Sequence, residues 1–386
     1  MRPDRAEDPL RWQDSLLLLG HSVRLLAESG HKCGLFMQAM DRFLDEETIA
    51  ACRGAEKIGS EKTLGDFADV LSSAARLDPE EKAGLVYGGG GENHPELIAA
   101  LTQKRPLFGN HPDVLRQLME AESFFELLRR LGIPYPEIRK ERPRDAENWL
   151  IKASCSEGGK GVRSADCRGL RPGEYFQRRV RGPAYSVLFL SNGIDSRIIG
   201  FNTLWPISIG HHPFLFAGAA NFSRLSGATR IEVSSWLSGL VKATGLIGLN
   251  GLDFMVTAEG QPLAIEVNPR PCASMALYDE DVPGGLLYRH LLAVRGHLPE
   301  IPPTVTCRAF RVMLAPVDLR VEKSRWPDWC QDRPREGSQI RHLEPFCTIS
   351  ASGASPSQAM RSLRTRMRAL RSVLSPPNSK RSSPES

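Results

Sequence analysis

The sequence has no long hydrophobic run and no paired cysteine motif. No stretch approaches the roughly 20 apolar residues that a membrane-spanning helix needs, so we predict no membrane association. The short apolar run Leu16–Leu19 ends in Gly20-His21 without an A-x-A-like cleavage site, which favours a buried strand over a secretory signal. None of the eight cysteines forms a C-x-x-C pair. Scattered cysteines of this kind indicate reduced thiols and a cytoplasmic location.

The sequence also lacks a strong excess of charge of one sign. Its net charge of +5 over 386 residues is small, and much of the basic excess lies near the C-terminus. We therefore predict no nucleic-acid partner, because nucleic-acid binding relies on a strongly basic surface. With 41% hydrophobic and 25% charged residues, the composition is that of a globular protein. The length suits two or three domains.

The common phosphate-binding and nucleophile motifs are missing too. The segment WLIKASCSEGGKGV resembles a phosphate loop, but Lys160 precedes Gly161 and Val162, so the hydroxyl that a P-loop gives to Mg²⁺ is absent. No dinucleotide-binding G-x-G-x-x-G begins a helix. Since no G-x-S-x-G or Cys/His signature occurs, we expect no side-chain nucleophile and interpret Cys155 as incidental.

What the first hundred residues do contain is an alternation of short apolar runs and helical patterns, which is typical of an open α/β sheet. We predict strands over 15–19, in CGLFMQA and over 84–87, and helices over 21–29, in DFADVLSSAARL and from His94-Pro95 onward. The turn Gly88–Gly91 is either a phosphate-binding loop or a tight connection from strand to helix.

From Asn110 the pattern changes, and a new domain is predicted to begin there. HPDVLRQLMEAESFFELLRRLGI is predicted to be one long helical stretch. Strands are predicted over 149–153, 174–180, 185–190, 197–204 and 251–257, with a helix over 231–244. This order favours an α+β module over a second doubly wound sheet.

The last segment, 304–374, is predicted to hold strands over 308–314 and 346–351 and an Arg-rich helix over 357–373. Four apolar residues fall on one face of that helix: Met360, Leu363, Met367 and Leu370. This pattern favours docking on the body of the protein over a membrane or nucleic-acid role. Residues 375–386, SPPNSKRSSPES, are predicted to be disordered.

The residues that point to chemistry lie in GLNGLDFMVTAEGQPLAIEVNPRPCAS, residues 248–274. Asp253 lies in one apolar strand of a predicted hairpin, and Glu266 lies in the returning strand, before Asn268 and Arg270. Paired antiparallel strands can bring both carboxylates to one face. Two carboxylates and a carboxamide oxygen suit Mg²⁺ that bridges nucleotide phosphates. Salt bridges to local arginines are the alternative.

At these residues the chain resembles an ATP-grasp enzyme, over roughly residues 15–370. The resemblance implies a mixed α/β and α+β architecture that uses ATP with Mg²⁺, or with Mn²⁺ in its place. The implied parts are an N-terminal open α/β domain at 12–109, a two-lobed nucleotide-binding domain at 110–300 with its lobes meeting near 180, and a closing segment at 301–374.

The resemblance also assigns roles to individual residues. It implies that Asp253, Glu266 and Asn268 bind the metal, that Lys152 contacts nucleotide phosphate, and that Arg270 faces the transferred phosphoryl group. The loop that closes over the triphosphate comprises Ser156, Glu157, Gly158, Gly159, Lys160 and Gly161, and Lys160 adds to the catalytic charge compensation. The hinge that binds adenine through backbone groups comprises Gln177, Arg178, Arg179 and Val180. Relatives usually carry an acid where Ala184 stands, so the ribose contact is undefined.

Most such enzymes activate a carboxylate as an acyl phosphate and let an amine displace phosphate. Four segments are similar to those of predicted ATP-dependent carboligases related to biotin carboxylase: LLLLGHSVRLLAESG, AMDRFLDEET, VYGGGGENHPEL and WPDWCQDRP. This similarity implies an amide-forming step in methanofuran- or tetrahydromethanopterin-type cofactor biosynthesis, with a small carboxylate and an amine as substrates and a homodimer as the assembly. A bicarbonate-dependent carboxylase acting through carboxyphosphate and a non-catalytic ATP-binding module are the alternatives.

Two further sets of residues are predicted to lie near the substrates. Asp41, Asp45 and the turn at 88–92 are predicted to line the acceptor side of the site. His211 and His212 either contact substrate or are simply solvated loop residues.

Overall fold

The N-terminal part of the chain is a parallel sheet with helices. The computed structural model describes residues 15–59, 64–165, 169–322 and 326–374. The first elements are β1 (Ser15–Gly20), α1 (Arg24–Lys32), β2 (Phe36–Asp41), α2 (Glu46–Ala51), β3 (Gly54–Lys57), α3 (Phe67–Leu77), β4 (Gly84–Tyr87) and α4 (Pro95–Leu101). The strands are parallel in the order β3-β2-β1-β4. The central strand β1 is almost entirely buried, as expected for a strand covered on both faces. The predicted open α/β sheet is confirmed.

The strand order reverses beside β1, because the chain continues to β2 on one side and later returns to β4 on the other. Open α/β sheets bind ligands at such a reversal, beyond the carboxyl ends of the strands. His21 follows β1 there, and its N–H donates to the Gly89 carbonyl in the turn after β4 at 2.8 Å. The predicted glycine-rich turn therefore lies at the crevice of this sheet.

A small antiparallel sheet with two helices follows. Its elements are α5 (Pro112–Met119), α6 (Ala121–Arg130), β5 (Ile138–Arg139), β6 (Trp149–Ala153), β7 (Val162–Ser164) and β8 (Glu174–Arg178), with the strand order β5-β8-β6-β7. The prediction of one long helix from residue 111 is wrong. Glu120 is extended, with φ −83° and ψ 123°, and separates α5 from α6. The Ser154 hydroxyl accepts a hydrogen bond from the Ala121 N–H at 3.4 Å at this break.

Most strands in the rest of the chain form one large antiparallel sheet. The elements of this region are β9 (Ala184–Asn192), β10 (Ser196–Ile209), β11 (His212–Ala220), α7 (Gly227–Thr244), β12 (Ile247–Val256), β13 (Pro262–Asn268), α8 (Gly285–Val294), β14 (Cys307–Leu314), β15 (Leu319–Arg320), β16 (Cys330–Gln331), β17 (Gln339–Ile340), β18 (Pro345–Gly353) and α9 (Pro356–Leu374). β15 and β17 pair with each other in a separate two-stranded sheet. The order in the eight-stranded sheet is β13-β12-β9-β10-β11-β14-β18-β16. The C-terminal strands thus extend the sheet that carries the acidic hairpin.

The Arg-rich helix α9 packs on this sheet. Leu363 and Leu370 are buried with residues of β14 and β18, and Met360 and Met367 pack against the same cluster. This confirms the predicted docking. Among the described residues, no helix combines the length and the apolar character that a membrane crossing requires. The predicted disordered tail, 375–386, lies outside the described residues.

His290 of α8 fastens this helix to β12, the strand that carries Asp253. The Leu249 N–H donates to His290 Nδ1 at 2.8 Å, and Nε2 donates to the Phe108 carbonyl at 2.9 Å. These two bonds select the neutral tautomer with its proton on Nε2. Burial lowers the pKa of His290 to about 4.

His290 is therefore expected to make stability depend on pH. The unfolded chain takes up a proton below an ordinary histidine pKa of about 6.5, whereas the folded chain does so only near 4. Its contribution is complete above about pH 6.5 and falls by about 3 kcal/mol as the pH approaches 4. Urea unfolding at pH 5 and pH 7 measures this: the free energy of unfolding should fall more between pH 7 and pH 5 in the wild type than in His290→Gln. Equal losses in the two proteins would contradict this assignment.

Candidate active site

The two acidic residues of the hairpin face each other across neighbouring strands. Asp253 in β12 pairs directly with Glu266 in β13, which places both side chains on one face of the sheet. Asn268 lies two residues further along β13 and therefore shares that face. The juxtaposition predicted from the spacing of these residues is present in the structure.

The two carboxylates disfavour each other's negative charge. Loss of hydration in the cleft and the neighbouring Glu266 raise the pKa of Asp253 well above its usual range, against the opposing effects of Arg270 and Lys152. Two carboxylates this close need a shared proton or a positive charge. Mg²⁺ fits this donor set, since it typically takes one or two protein carboxylates and completes its octahedron with phosphate oxygens and water.

Lys152 reaches the pair from the other sheet. It lies in β6 directly opposite Tyr175 in β8, and it is only 8% exposed. Burial alone lowers the pKa of Lys152, but Tyr175, Glu266 and Asp253 together raise it above its usual value, so the amine stays charged. A cleft that is open to solvent is lined by Lys152, Glu266 and Asn268 together.

Arg270 is held by the N-terminal sheet. Its Nε donates to Glu92 Oε1 at 2.6 Å, and its Nη2 donates to Asn268 Oδ1 at 3.2 Å. Glu92, in the turn after β4, is 1% exposed. Burial alone lowers the pKa of Arg270, but the nearby acidic groups, Glu92 foremost among the carboxylates, raise it above the ordinary value. The turn at 88–92, predicted to line the acceptor side, thus supplies the carboxylate that orients the predicted catalytic arginine.

A buried polar clamp that the sequence did not reveal holds the end of β13. Asn110 donates through Nδ2 to Asn250 Oδ1 at 2.8 Å and to the Pro269 carbonyl at 2.9 Å, and its Oδ1 accepts from the Ile247 N–H at 2.8 Å. The Tyr87 hydroxyl donates to the Asn110 carbonyl at 2.9 Å. A single polar residue between two elements produces no periodic sequence pattern that would predict its contacts. The sequence indicates only that the pattern changes at Asn110.

The predicted lid, residues 156–161, connects β6 to β7 and rests on the β10–β11 hairpin. The Phe216 N–H donates to the Gly158 carbonyl at 3.0 Å. Gly159 has φ +80°, and a Cβ there would stand 1.9 Å from the Phe214 carbonyl oxygen. Ser156 and Gly159 line the cleft. The lid is therefore packed too closely at Gly159 for any side chain.

Substituting Gly159 should displace the lid. Gly159→Ala combines a disfavoured positive φ with a clash against Phe214, whereas Gly158→Ala has a similar φ of +58° but meets open space. We expect Gly159→Ala to lower kcat/KM for ATP by about tenfold or more, because a misplaced loop loses oriented contacts. Steady-state ADP release measures this. Equal losses in Gly158→Ala would show that backbone strain alone is responsible.

The other lid residues take different positions. Lys160 is exposed, and Gly161 has a Cβ position filled by the Ser156 side chain. Glu157 is turned toward the N-terminal sheet, where its carboxylate contacts the His21 ring. The predicted grouping of Ser156, Lys152 and the hairpin is therefore present, while Glu157 serves a contact that the sequence did not indicate.

The predicted adenine hinge has few free donors. The Arg178 N–H donates to the Glu137 carbonyl and the Arg179 N–H to the Asn148 carbonyl, both at 2.8 Å. Within the described ranges, the Val180 N–H has no protein partner. The Gln177 side chain is 4% exposed, and its Oε1 is buried without a partner in the described part of the chain. If this segment binds adenine, the Val180 N–H and main-chain carbonyls are the groups left to do so.

The prediction that Asp41 and Asp45 line a substrate site is wrong, because both are buried and used locally. Asp41 accepts from the Val23 and Leu44 N–H groups at 2.7 and 2.6 Å. Asp45 caps α2 by accepting from the Thr48 N–H at 2.7 Å. Burial raises the pKa of Asp41 to about 6 and that of Asp45 to about 7.

The remaining candidates are peripheral. His211 and His212 are exposed at the tip of the β10–β11 hairpin, and His212 begins β11 rather than lying in a loop. Burial raises the pKa of the Cys155 thiol, with Glu120 and Glu92 adding to the effect. A nucleophilic cysteine requires a lowered pKa, so Cys155 has no sign of activation.

Comparisons with known proteins bear on this arrangement. The family model that describes the ATP-grasp domain matches residues 122–274. The structure is similar to a biotin carboxylase from Campylobacter jejuni (11% identity, covering 92% of this chain and 91% of that one, TM-score 0.72). It is also similar to the biotin carboxylase domain dimer of 2-oxoglutarate carboxylase from Hydrogenobacter thermophilus (14% identity, covering 92% of this chain and 89% of that one, TM-score 0.71). A third similar structure is L-amino acid ligase from Bacillus licheniformis (15% identity, covering 93% of this chain and 98% of that one, TM-score 0.66). Sequence comparison with curated proteins finds no match.

The domain match and the structural similarities agree with the geometry of the site. The matched residues include Lys152, the lid and the acidic hairpin. The similar structures cover 92% and 93% of this chain, far more than the residues that the domain model matches. The predicted ATP-grasp architecture is thus confirmed. Residues 122–274 match the model of the ATP-grasp domain, and the chain as a whole has the ATP-grasp fold.

Proposed function

We propose that this protein is an ATP- and Mg²⁺-dependent ligase that joins a carboxylate to an amine through an acyl phosphate. One observation carries the proposal. Asp253 and Glu266 lie opposite each other on paired strands, and Lys152 approaches the same pair from the second sheet. This arrangement places hard oxygen ligands and a buried cation where nucleotide phosphates would lie.

Each site residue has a part in this proposal. Asp253, Glu266 and Asn268 would hold Mg²⁺, or Mn²⁺ in its place, which supplies charge neutralisation for the phosphates. Lys152, and Lys160 of the lid, bind phosphate oxygens. Arg270 stabilises the negative charge on the phosphoryl group as it moves to the substrate. The backbone of the 177–180 segment binds adenine.

The proposed reaction has two steps. A carboxylate oxygen of the acid attacks the γ-phosphorus of ATP, which forms an acyl phosphate and releases ADP. The amine nitrogen then attacks the acyl carbon, the C–N bond forms, and the C–O bond to phosphate breaks. Neither step needs a side-chain nucleophile, which agrees with the raised pKa of Cys155.

The finer proposal is an amide-forming step in methanofuran- or tetrahydromethanopterin-type cofactor biosynthesis, carried out by a homodimer. It is supported by the similarity of four segments to predicted carboligases and by the similarity to an L-amino acid ligase. The second candidate is a bicarbonate-dependent carboxylase. It is favoured by the similarity to the Hydrogenobacter domain dimer, whose structure holds Mg-ADP, ADP and bicarbonate.

The experiment that tests the proposal is ADP release by the purified full chain with Mg-ATP. One arm supplies glutamate with a panel of amines that includes tyramine, and another supplies bicarbonate alone. ADP release that needs both acid and amine supports the ligase, and release with bicarbonate alone supports the carboxylase. ATP binding without turnover in every arm contradicts both and favours a non-catalytic module.

A further inference from the structure

His21 joins the N-terminal sheet to the lid. It lies beyond the carboxyl end of β1, and its side chain is 14% exposed. Its ring packs on Gly90, where φ is +94° and a Cβ would stand 2.6 Å from Nδ1. Nδ1 contacts Glu157 Oε1 of the lid. Glu157 is predicted to contact the nucleotide and His21 has no predicted role, so their contact is unexplained by the roles given above.

Glu157 is suited to orient an imidazole. Burial raises the pKa of Glu157, but the His21 contact, Arg270 and Lys160 lower it more, so that the carboxylate stays ionised. An ionised carboxylate in contact with Nδ1 favours the tautomer that has its proton on Nδ1 and its lone pair on Nε2. Both ring nitrogens of His21 are buried. Within the described part of the chain, Nδ1 has only the ion-pair contact with Glu157, and Nε2 has no protein partner. A buried basic nitrogen without a protein partner is left to bond a ligand or water.

The pair lies beside the predicted catalytic arginine. A Cβ on Gly89 would stand 3.5 Å from Glu157 Oε2 and 3.6 Å from Arg270 Cζ. The His21–Glu157 pair, here called the dyad, therefore lies close to Arg270 at the reversal point of the parallel sheet, where a second substrate can approach. His94 is the other imidazole there, and burial together with His21 lowers its pKa, so it stays neutral. Glu92 is already bonded to Arg270.

We propose that His21, oriented by Glu157, is the general base that accepts the proton of the attacking amine. This inference rests on the proposed ligase function. As the amine nitrogen bonds to the acyl carbon it becomes cationic, and its N–H proton passes to His21 Nε2. The C–O bond then breaks and phosphate leaves. Removing the proton prevents the amine from being expelled again, which is the usual contribution of a general base.

The first half-reaction does not need this base, which separates the inference from the proposed function. With Mg-ATP, glutamate and hydroxylamine, an acyl phosphate is trapped as a hydroxamate, because hydroxylamine is uncharged at neutral pH and attacks without a base. We expect His21→Asn to keep hydroxamate formation within about threefold of the wild type. Amide formation with tyramine should fall by about 10²-fold or more. Glu157→Gln should show the same split to a smaller degree.

The pH profile supplies a second readout. Wild-type kcat/KM for the amine should fall more steeply toward acid pH than kcat/KM of His21→Asn, which lacks the base. His94→Asn, a neighbouring imidazole outside the dyad, is the matched control and should keep the wild-type profile. Equal loss of hydroxamate and amide in His21→Asn would overturn the inference and show that the His21–Glu157 contact only holds the lid in place. Unchanged amide formation would also overturn it. Absence of hydroxamate in the wild type with every acid would instead refute the proposed function itself.

Discussion

Glu266→Gln is expected to reduce ADP formation by about 10³-fold while the protein becomes slightly more stable. Glutamine keeps the size of the side chain but removes one of the two carboxylate charges that we propose hold Mg²⁺, those of Glu266 and Asp253. The same change relieves the repulsion that helps to raise the pKa of Asp253. Loss of activity together with a gain in stability would indicate that Glu266 serves to bind a cation and does not stabilise the fold.

The measurements are ADP release and thermal unfolding without nucleotide. Glu259→Gln is the matched control, since Glu259 lies exposed in the turn of the same β12–β13 hairpin. It should leave both quantities at the wild-type level. If Glu266→Gln lowers the unfolding temperature by as much as it lowers activity, Glu266 supports the fold, and the metal assignment fails.

Arg270→Lys is expected to lower turnover by about 10²-fold or more, because the guanidinium fork touches two partners in fixed geometry. Lysine keeps the charge but cannot bond Glu92 and Asn268 together in the way that the Nε and Nη2 groups do. ADP release at saturating substrates measures the effect. Full activity in Arg270→Lys would show that only the positive charge matters.

The stability of variants of the Arg270–Glu92 ion pair provides the control. Arg270→Met leaves Glu92 buried at 1% exposure without its partner, a change that costs about 3–5 kcal/mol. Adding Glu92→Gln removes the stranded charge and should restore much of the stability but none of the activity. If the double variant is as unstable as Arg270→Met, the arginine contributes mainly through packing.

The strands and the acidic pair could be predicted because local rules govern them. Asp253 and Glu266 lie in apolar runs on either side of a turn, and antiparallel pairing then places them on one face. The strand Trp149–Ala153 has the predicted bounds, and the Arg-rich helix carries the apolar stripe that packs on the sheet. Each of these features depends on residues that are close in sequence.

The errors concern features that depend on distant residues. Glu120 breaks a helical pattern without glycine or proline, and Ser154, which follows β6, accepts a hydrogen bond from the freed N–H of Ala121. Asp41 and Asp45 are predicted to line the acceptor side, yet both are buried and accept hydrogen bonds from backbone N–H groups before α1, before α2 and within α2. The contacts of Glu92 with Arg270 and of His21 with Glu157 join residues more than 130 positions apart. Spacing along the chain carries no information about such pairs.

The order of strands in the large sheet has a consequence for how the protein is made on the ribosome. The acidic hairpin is complete at Asn268, but β11 pairs on its outer side with β14, which ends only at Leu314. Until that strand emerges, the nascent chain presents an unpaired edge strand, a surface prone to pairing with other chains. A chain that ends near residue 300 would keep every proposed metal ligand but would still carry an unpaired sheet edge. We expect such a chain to aggregate even though its proposed metal ligands are all present.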